Sequence, residues 1–170
     1  MKGDFTRSTF ERTRHYSSVR MQQGRVPMDA DWNEAQDIGN YLAGLTRSDV
    51  IGPCGFPEDN AGFELIVEDG EIRIGAGRGY VGGSVIENDG VVAIAQQPHL
   101  PEYAMPETEG LYVAYLDVWQ RHITAIDDPN IKEIALGGPD TATRSQTIWQ
   151  VKLKALTDTD NNSPTCQDLG

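Results

Sequence analysis

Phe63-Glu64-Leu65-Ile66-Val67-Glu68-Asp69-Gly70-Glu71-Ile72-Arg73-Ile74 is the stretch that decides the fold class of this chain. Phe63, Leu65 and Val67 alternate with Glu64, Ile66 and Glu68, the two-residue period of a strand. Asp69-Gly70 then supplies two residues that tolerate positive φ, which the tightest hairpin turn needs at both central positions. Glu71-Ile72-Arg73-Ile74 is the return strand. The punctuation continues downstream: Gly82-Gly83 and Asn88-Asp89-Gly90 bound short strands around Tyr80-Val81 and Val85-Ile86, and Val91-Val92-Ala93-Ile94 closes the set. Short strands with turns this frequent predict an antiparallel meander or a small barrel-like sheet.

Toward the C-terminus the same reading holds. Residues 98–106 form a proline-bounded break, and Leu111-Tyr112-Val113-Ala114-Tyr115-Leu116-Asp117-Val118-Trp119 is apolar on both faces, which predicts a central strand. Arg121-His122-Ile123-Thr124-Ala125-Ile126 continues or bends it. Asp127-Asp128-Pro129 is a helix start, and a short helix over 130–136 is expected to stop at Gly137-Gly138-Pro139. In the last strand Thr147, Trp149, Val151 and Leu153 alternate with Gln150, Lys152 and Lys154. Residues 157–170, rich in Asp, Asn, Ser and Thr, are expected to be a linker into further domains.

Upstream of the sheet lies one convincing helix. Trp32, Ala35, Ile38, Leu42 and Leu45 recur at helical spacing, Asp29 or Asp31 can cap the start, and Gly52-Pro53 forbids continuation. Residues 1–28 have neither period. Their apolar anchors are spaced among arginines and hydroxyls, so they read as an extended arm ordered by contact. The candidate partner-binding residues are Phe5, Arg7, Phe10, Arg12, Arg14, Tyr16, Arg20 and Arg25: the arginines to pair carboxylates, the aromatics to fill pockets. The predicted organisation is an arm at 1–28, a helix at 29–52, a β-rich domain at 53–156 and a linker at 157–170. The fold class is mainly β with one or two helices.

Composition agrees. Glycine (18) and proline (9) are plentiful and suit turns better than a helical bundle. Formal net charge is −12, yet residues 1–27 hold Lys2, Arg7, Arg12, Arg14, Arg20 and Arg25 against only Asp4 and Glu11. So acidic a body would repel phosphates, and nucleic acid is not an expected partner. No apolar run reaches the ~20 residues needed to cross a bilayer. The N-terminus has no signal-peptide pattern, which predicts synthesis in the cytoplasm. Cys54 and Cys166 have neither metal-ligand nor redox-motif spacing.

Each candidate catalytic constellation has a plainer reading. Asp29, Asp31 and Glu34 suit a helix start, with too few further oxygens for a calcium loop. Gly75-Ala76-Gly77-Arg78-Gly79 resembles a phosphate cradle, but Tyr80-Val81-Gly82-Gly83 cannot open the helix such a loop needs, so a turn or bulge is expected. His15, His99 and His122 share no ligand spacing, and Ser17, Ser18 and Ser145 lack a nucleophile-elbow context. Trp32, Trp119 and Trp149 are expected in the core. Neither a cofactor, a metal nor a small-molecule substrate is expected, and no enzyme.

Met1-Lys2-Gly3-Asp4-Phe5-Thr6-Arg7, then Met21-Gln22-Gln23-Gly24-Arg25-Val26 running into Asp29-Ala30-Asp31-Trp32-Asn33-Glu34, carry a family resemblance. Later blocks are Leu116-Asp117-Val118-Trp119, Ala135-Leu136-Gly137-Gly138-Pro139-Asp140-Thr141-Ala142-Thr143-Arg144 and Trp149-Gln150-Val151-Lys152. Over residues 1–156 the chain resembles an uncharacterised family encoded beside phage-tail-like contractile injection systems. Pro27-Met28 departs from the more usual Gln-Leu. The resemblance implies a multi-copy structural or adaptor component of a contractile particle, docked on its baseplate or neighbouring subunits and carrying a fibre, cage or further domain. The particle would be cytoplasmic, membrane-anchored or released. A receptor- or glycan-binding module of such a particle is the alternative, and an effector or cell-wall hydrolase a more distant one.

Overall fold

The computed structural model of the chain describes residues 3–138 and 140–156. The expected linker at 157–170 lies outside the described residues. The fold is mainly β with a single long helix and antiparallel sheets. It divides into two compact units. The first comprises Met1–Cys54, Gly82–Ser84 and His122–Ser145; the second comprises Gly55–Val81, Val85–Arg121 and Gln146–Gly170.

After the two-residue strand β1 (Cys54–Gly55), the second unit contains the hairpin. Strand β2 (Leu65–Glu68) pairs antiparallel with β3 (Glu71–Ile74), Leu65 opposite Ile74 and Val67 opposite Ile72. Asp69 and Gly70 both have positive φ, 51° and 81°, as the turn demands. Two short strands, β4 (Gly77–Val81) and β5 (Ser84–Asn88), pair in one sheet, and β6 (Val92–Ala93) joins β3 on its free side. Strands β2 and β3 differ in cover for this reason. β2 is the sheet's edge, so Leu65 and Val67 are exposed, while Ile74, between two strands, is wholly buried.

The core of this unit is Phe63, Ile74, Ile86, Ile94, Trp149 and Val151. Phe63 meets the Trp149 ring edge-on, centroids 5.0 Å apart, and the indole N–H donates to the Glu87 carbonyl at 2.8 Å. That geometry gives the largest side chain both its preferred aromatic packing and a partner for its one polar atom. Gly62 and Gly77 allow two backbone segments to touch. A Cβ on Gly77, which has φ +137°, would sit 2.7 Å from the Asn60 carbonyl oxygen. The glycine-rich stretch is therefore a close backbone approach running into β4.

The long strands β9 (Tyr112–Ile123) and β10 (Arg144–Ala155) form a two-stranded sheet. This corrects the expectation of a central strand at 111–119. Among the described residues β9 pairs with β10 alone, and its apolar character comes from packing Leu116 and Val118 onto the core layer rather than from strands on both sides. β10 is buried on both faces at residues 148–151, so its alternation is not the simple one the sequence predicts. Side chains also bond to its backbone. The Gln97 amide accepts from Val151 N–H at 2.6 Å and donates to Val151 C=O at 2.9 Å; the Tyr103 hydroxyl accepts from Leu153 N–H at 2.9 Å. Gln97 lies in β7 (Gln96–Gln97), which among the described residues pairs with β8 (Leu100–Pro101) alone. Occupying exposed strand edges in this way discourages misdirected pairing.

In the first unit α1 spans Asp29–Ile51 and ends at Gly52, whose N–H bonds the Ser48 carbonyl at 2.9 Å. Met28 holds the N-cap position with no side-chain cap. The expected capping by Asp29 or Asp31 is absent because both lie inside the first turn. The buried helix positions are Ala30 and Ile38. Trp32 is 71% exposed, which overturns its assignment to the core. The expected short helix at 130–136 is two 3-10 turns, Pro129–Ile131 and Ile134–Leu136; Asp128 caps the first by accepting from Asn130 N–H at 3.0 Å. Among the described residues no helix is long and apolar enough to cross a membrane.

Candidate protein-interaction surface

The arm and α1 belong to the same unit, and the arm's first part lies along the helix. Thr6 donates its N–H and its hydroxyl to the Asp29 carboxylate, at 2.9 and 2.5 Å. The Thr9 hydroxyl donates to Glu34 at 2.6 Å. Phe10 packs its ring against Tyr41 with centroids 5.8 Å apart, and the Arg12 guanidinium lies over the same ring at 5.8 Å. Positions 6, 9 and 10 thus meet 29, 34 and 41, progressively later along the helix. The arm therefore runs along the helix in the same direction as its chain, its side chains reaching two acids and then an aromatic.

The docked stretch ends in a 3-10 turn at Arg12–Arg14, followed by His15 in the left-handed region at φ 55°. Arg14 bonds Glu11 within this turn at 2.7 Å. Beyond it the arm is largely exposed, with a second turn in which Arg25 N–H bonds the Gln22 carbonyl and Gly24 has φ +71°.

The candidate residues therefore separate into two groups. Phe5 packs near the His122 ring at 6.0 Å; Phe10 and Arg12 are engaged at Tyr41, and Arg14 at Glu11. Tyr16 is exposed, and among the described residues no carboxylate lies within ion-pair distance of Arg7, Arg20 or Arg25. The signal missed at the sequence level was Tyr41, which falls outside the Trp32–Leu45 stripe yet receives two arm side chains.

Asp29 and Glu34 act as acceptors for the arm. The Thr6 hydroxyl, then the Thr6 N–H, hold the Asp29 carboxyl below the usual aspartate range. Thr13 and then Arg14 lower that of Glu11. Asp37 is raised, by burial first and by the nearby Glu34 charge second. Among the described residues no group of three His, Cys, Asp or Glu is placed to hold a metal ion.

Apolar exposure is uneven between the units. In the first unit Val26, Trp32, Val50, Ile126, Ile134 and Leu136 are all more than half exposed; in the second Val67, Val91 and Leu111 are, around a buried six-residue core. One recess of the second unit is also notable. It measures about 260 Å³ and is lined by Pro98, His99, Pro101, Trp119, Arg121 and Ile148. Burial, and then the Arg121 charge, push the His99 imidazole down. Trp119 is 40% exposed there, contrary to its expected core position.

No curated protein and no solved structure matches the chain. A family model described as a family of unknown function, DUF6519, matches residues 1–168, and the chain, with its docked arm and single long helix, belongs to that family.

Proposed function

We propose that the chain is a structural adaptor of a phage-tail-like contractile particle, in which the arm-and-helix unit docks onto neighbouring subunits and the β unit serves as a rigid platform. The observation that supports the docking role is how many large apolar side chains of the first unit face solvent, Val26, Trp32, Val50, Ile126 and Ile134 among them; among the described residues the second unit exposes fewer, Val67, Val91 and Leu111 the most, and encloses a six-residue core. Exposed apolar surface on this scale marks association sites, because covering it removes roughly 25 cal/mol per Å² of unfavourable hydration. The particle itself is suggested by the sequence blocks that resemble proteins encoded beside contractile systems. Arg7, Arg20 and Arg25, without acidic partners among the described residues, supply charge-assisted bonds to a neighbour's carboxylates.

Deleting residues 1–27 tests the reading. Particles assembled with the truncated protein should lack it or carry it at strongly reduced occupancy, while the isolated protein keeps the near-UV signal of its Trp149 core. Normal occupancy of the truncated protein would refute the docking role.

The recess at Trp119 favours a second reading, a glycan-binding module. An indole face stacks on the apolar face of a sugar ring, and Arg121 and His99 offer polar contacts beside it. Tyr103, the aromatic of the 98–106 segment, does not serve, since it packs on the core and its hydroxyl accepts from Leu153 N–H. Quenching of indole fluorescence by an oligosaccharide, abolished in Trp119→Ala, would support this reading; no response across a glycan panel would remove it.

A further inference from the structure

The second half of the arm has more chain than its path requires. Arg12 is held at Tyr41, and the helix begins at Asp29. Along α1 those positions are separated by ~18 Å. Residues 13–28 between them could extend to roughly 50 Å. The excess forms an excursion that turns at residues 22–25 and presents Met21 and Val26, the latter 83% exposed, beside Arg20 and Arg25. No acidic residue occurs between Arg12 and Met28.

The helix has an uncovered face of opposite character. Trp32, Leu42 and Val50 are exposed, Val50 at 79%. Helical spacing puts the small residues Ala35, Gly39 and Ala43 between them. Asp31 and Asp49 fall along the edge of this face. The only basic residue of the helix, Arg47, donates to the Gly83 carbonyl at 2.6 Å. Two such helices face to face would bring acids against acids, so the chemistry selects a basic apolar segment as occupant. The chain already makes one contact of this kind, Arg12 over Tyr41.

We propose that the arm tip of one copy, residues 20–26, docks on the Trp32–Leu42–Val50 face of α1 in a second copy. Arg20 or Arg25 stacks on the exposed indole or pairs with Asp31 or Asp49, and Met21 and Val26 cover Leu42 and Val50. This rests on the docking role of the arm and names its partner as the chain itself. Reciprocal docking gives a closed pair, and head-to-tail docking a ring. Either way each arm binds where many copies keep the local concentration high, which offsets the cost of ordering it.

The test uses the full chain with a benzophenone amino acid at position 21, prepared in light and heavy isotopic forms and mixed before irradiation. Cross-links joining position 21 of one isotope to the 32–50 segment of the other are expected. Trp32→Glu with Val50→Glu, and separately Arg20→Glu with Arg25→Glu, should each weaken self-association about tenfold or more in sedimentation. All four positions are exposed, and unchanged far-UV circular dichroism certifies the fold. A protein still monomeric at ~100 μM overturns the inference. So do cross-links confined to one isotope, or inter-chain links that reach the Ile126 and Ile134 turns rather than the helix. The two proposals fail separately. A monomer whose arm deletion still blocks entry into the particle refutes self-docking alone, and normal entry after deletion refutes the arm's role altogether.

Discussion

Replacing Gln97 with methionine should destabilise the β unit by about 2–5 kcal/mol. Gln97 is 1% exposed, and its amide satisfies three backbone groups: Val151 N–H, Val151 C=O and Ile94 C=O. Methionine keeps the volume but offers no comparable donor or acceptor. Leaving a buried backbone group unsatisfied costs about 1–3 kcal/mol, and the two Val151 groups lose their side-chain partner together. With a urea m-value of about 2 kcal/mol per M, the midpoint should fall by about 1–2.5 M. Hydrogen exchange at the Val151 amide gives the local readout and should accelerate well beyond that of Ile74. Gln97→Glu sharpens the argument. Its carboxylate would be buried facing two carbonyls, so its folded pKa rises above the ordinary ~4.3. A raised pKa means the folded state binds more protons. The variant is thus at its most stable, relative to the parent, below ~4.3 and loses stability as pH climbs toward the folded value. A loss under about 0.5 kcal/mol in Gln97→Met, with Val151 exchange unchanged, would refute the claim that this amide sustains the strand's backbone.

Three further outcomes are expected. Trp149→Phe should cost about 1–3 kcal/mol in chemical denaturation, since it removes the hydrogen bond to Glu87 and part of the edge contact with Phe63; equal stability would show that the indole N–H is dispensable. Gly77→Ala should cost more than about 2 kcal/mol or prevent folding, because its Cβ would meet Asn60 and Gly62 backbone at 2.7 Å with φ +137°; a variant with parental melting temperature would contradict the close approach. The docked part of the arm should loosen in acid. Asp29's folded pKa is depressed by Thr6, so its contribution is present above the ordinary aspartate value and lost as pH falls through the folded one. The Thr6 amide resonance should follow that titration and be insensitive to it in Asp29→Ala; a Thr6 shift that ignores acid would disprove the contact.

Much of the fold was legible because local rules dictate it. Asp69-Gly70 could make a two-residue hairpin turn, Gly52-Pro53 had to end α1, and Asp128-Pro129 had to open a short helical turn. Each depends on dihedral preferences within a few residues. The candidate surface was legible in part. The arm's arginines and aromatics were recognisable as contact residues, but nothing local says that Arg12 lies on Tyr41 while Arg20 and Arg25 meet no carboxylate among the described residues. The Trp32 stripe likewise has helical period without declaring whether anything covers it.

Periodicity and turn chemistry in the chain itself thus determined a mainly β protein with one long helix behind a basic arm. Tertiary structure alone decided that Trp149 is enclosed while Trp32 and Trp119 are not, and that Gln97 holds the backbone of a strand 54 residues away. The reason is physical: backbone conformation is set by neighbours in sequence, whereas burial is set by whichever distant segments arrive to displace water.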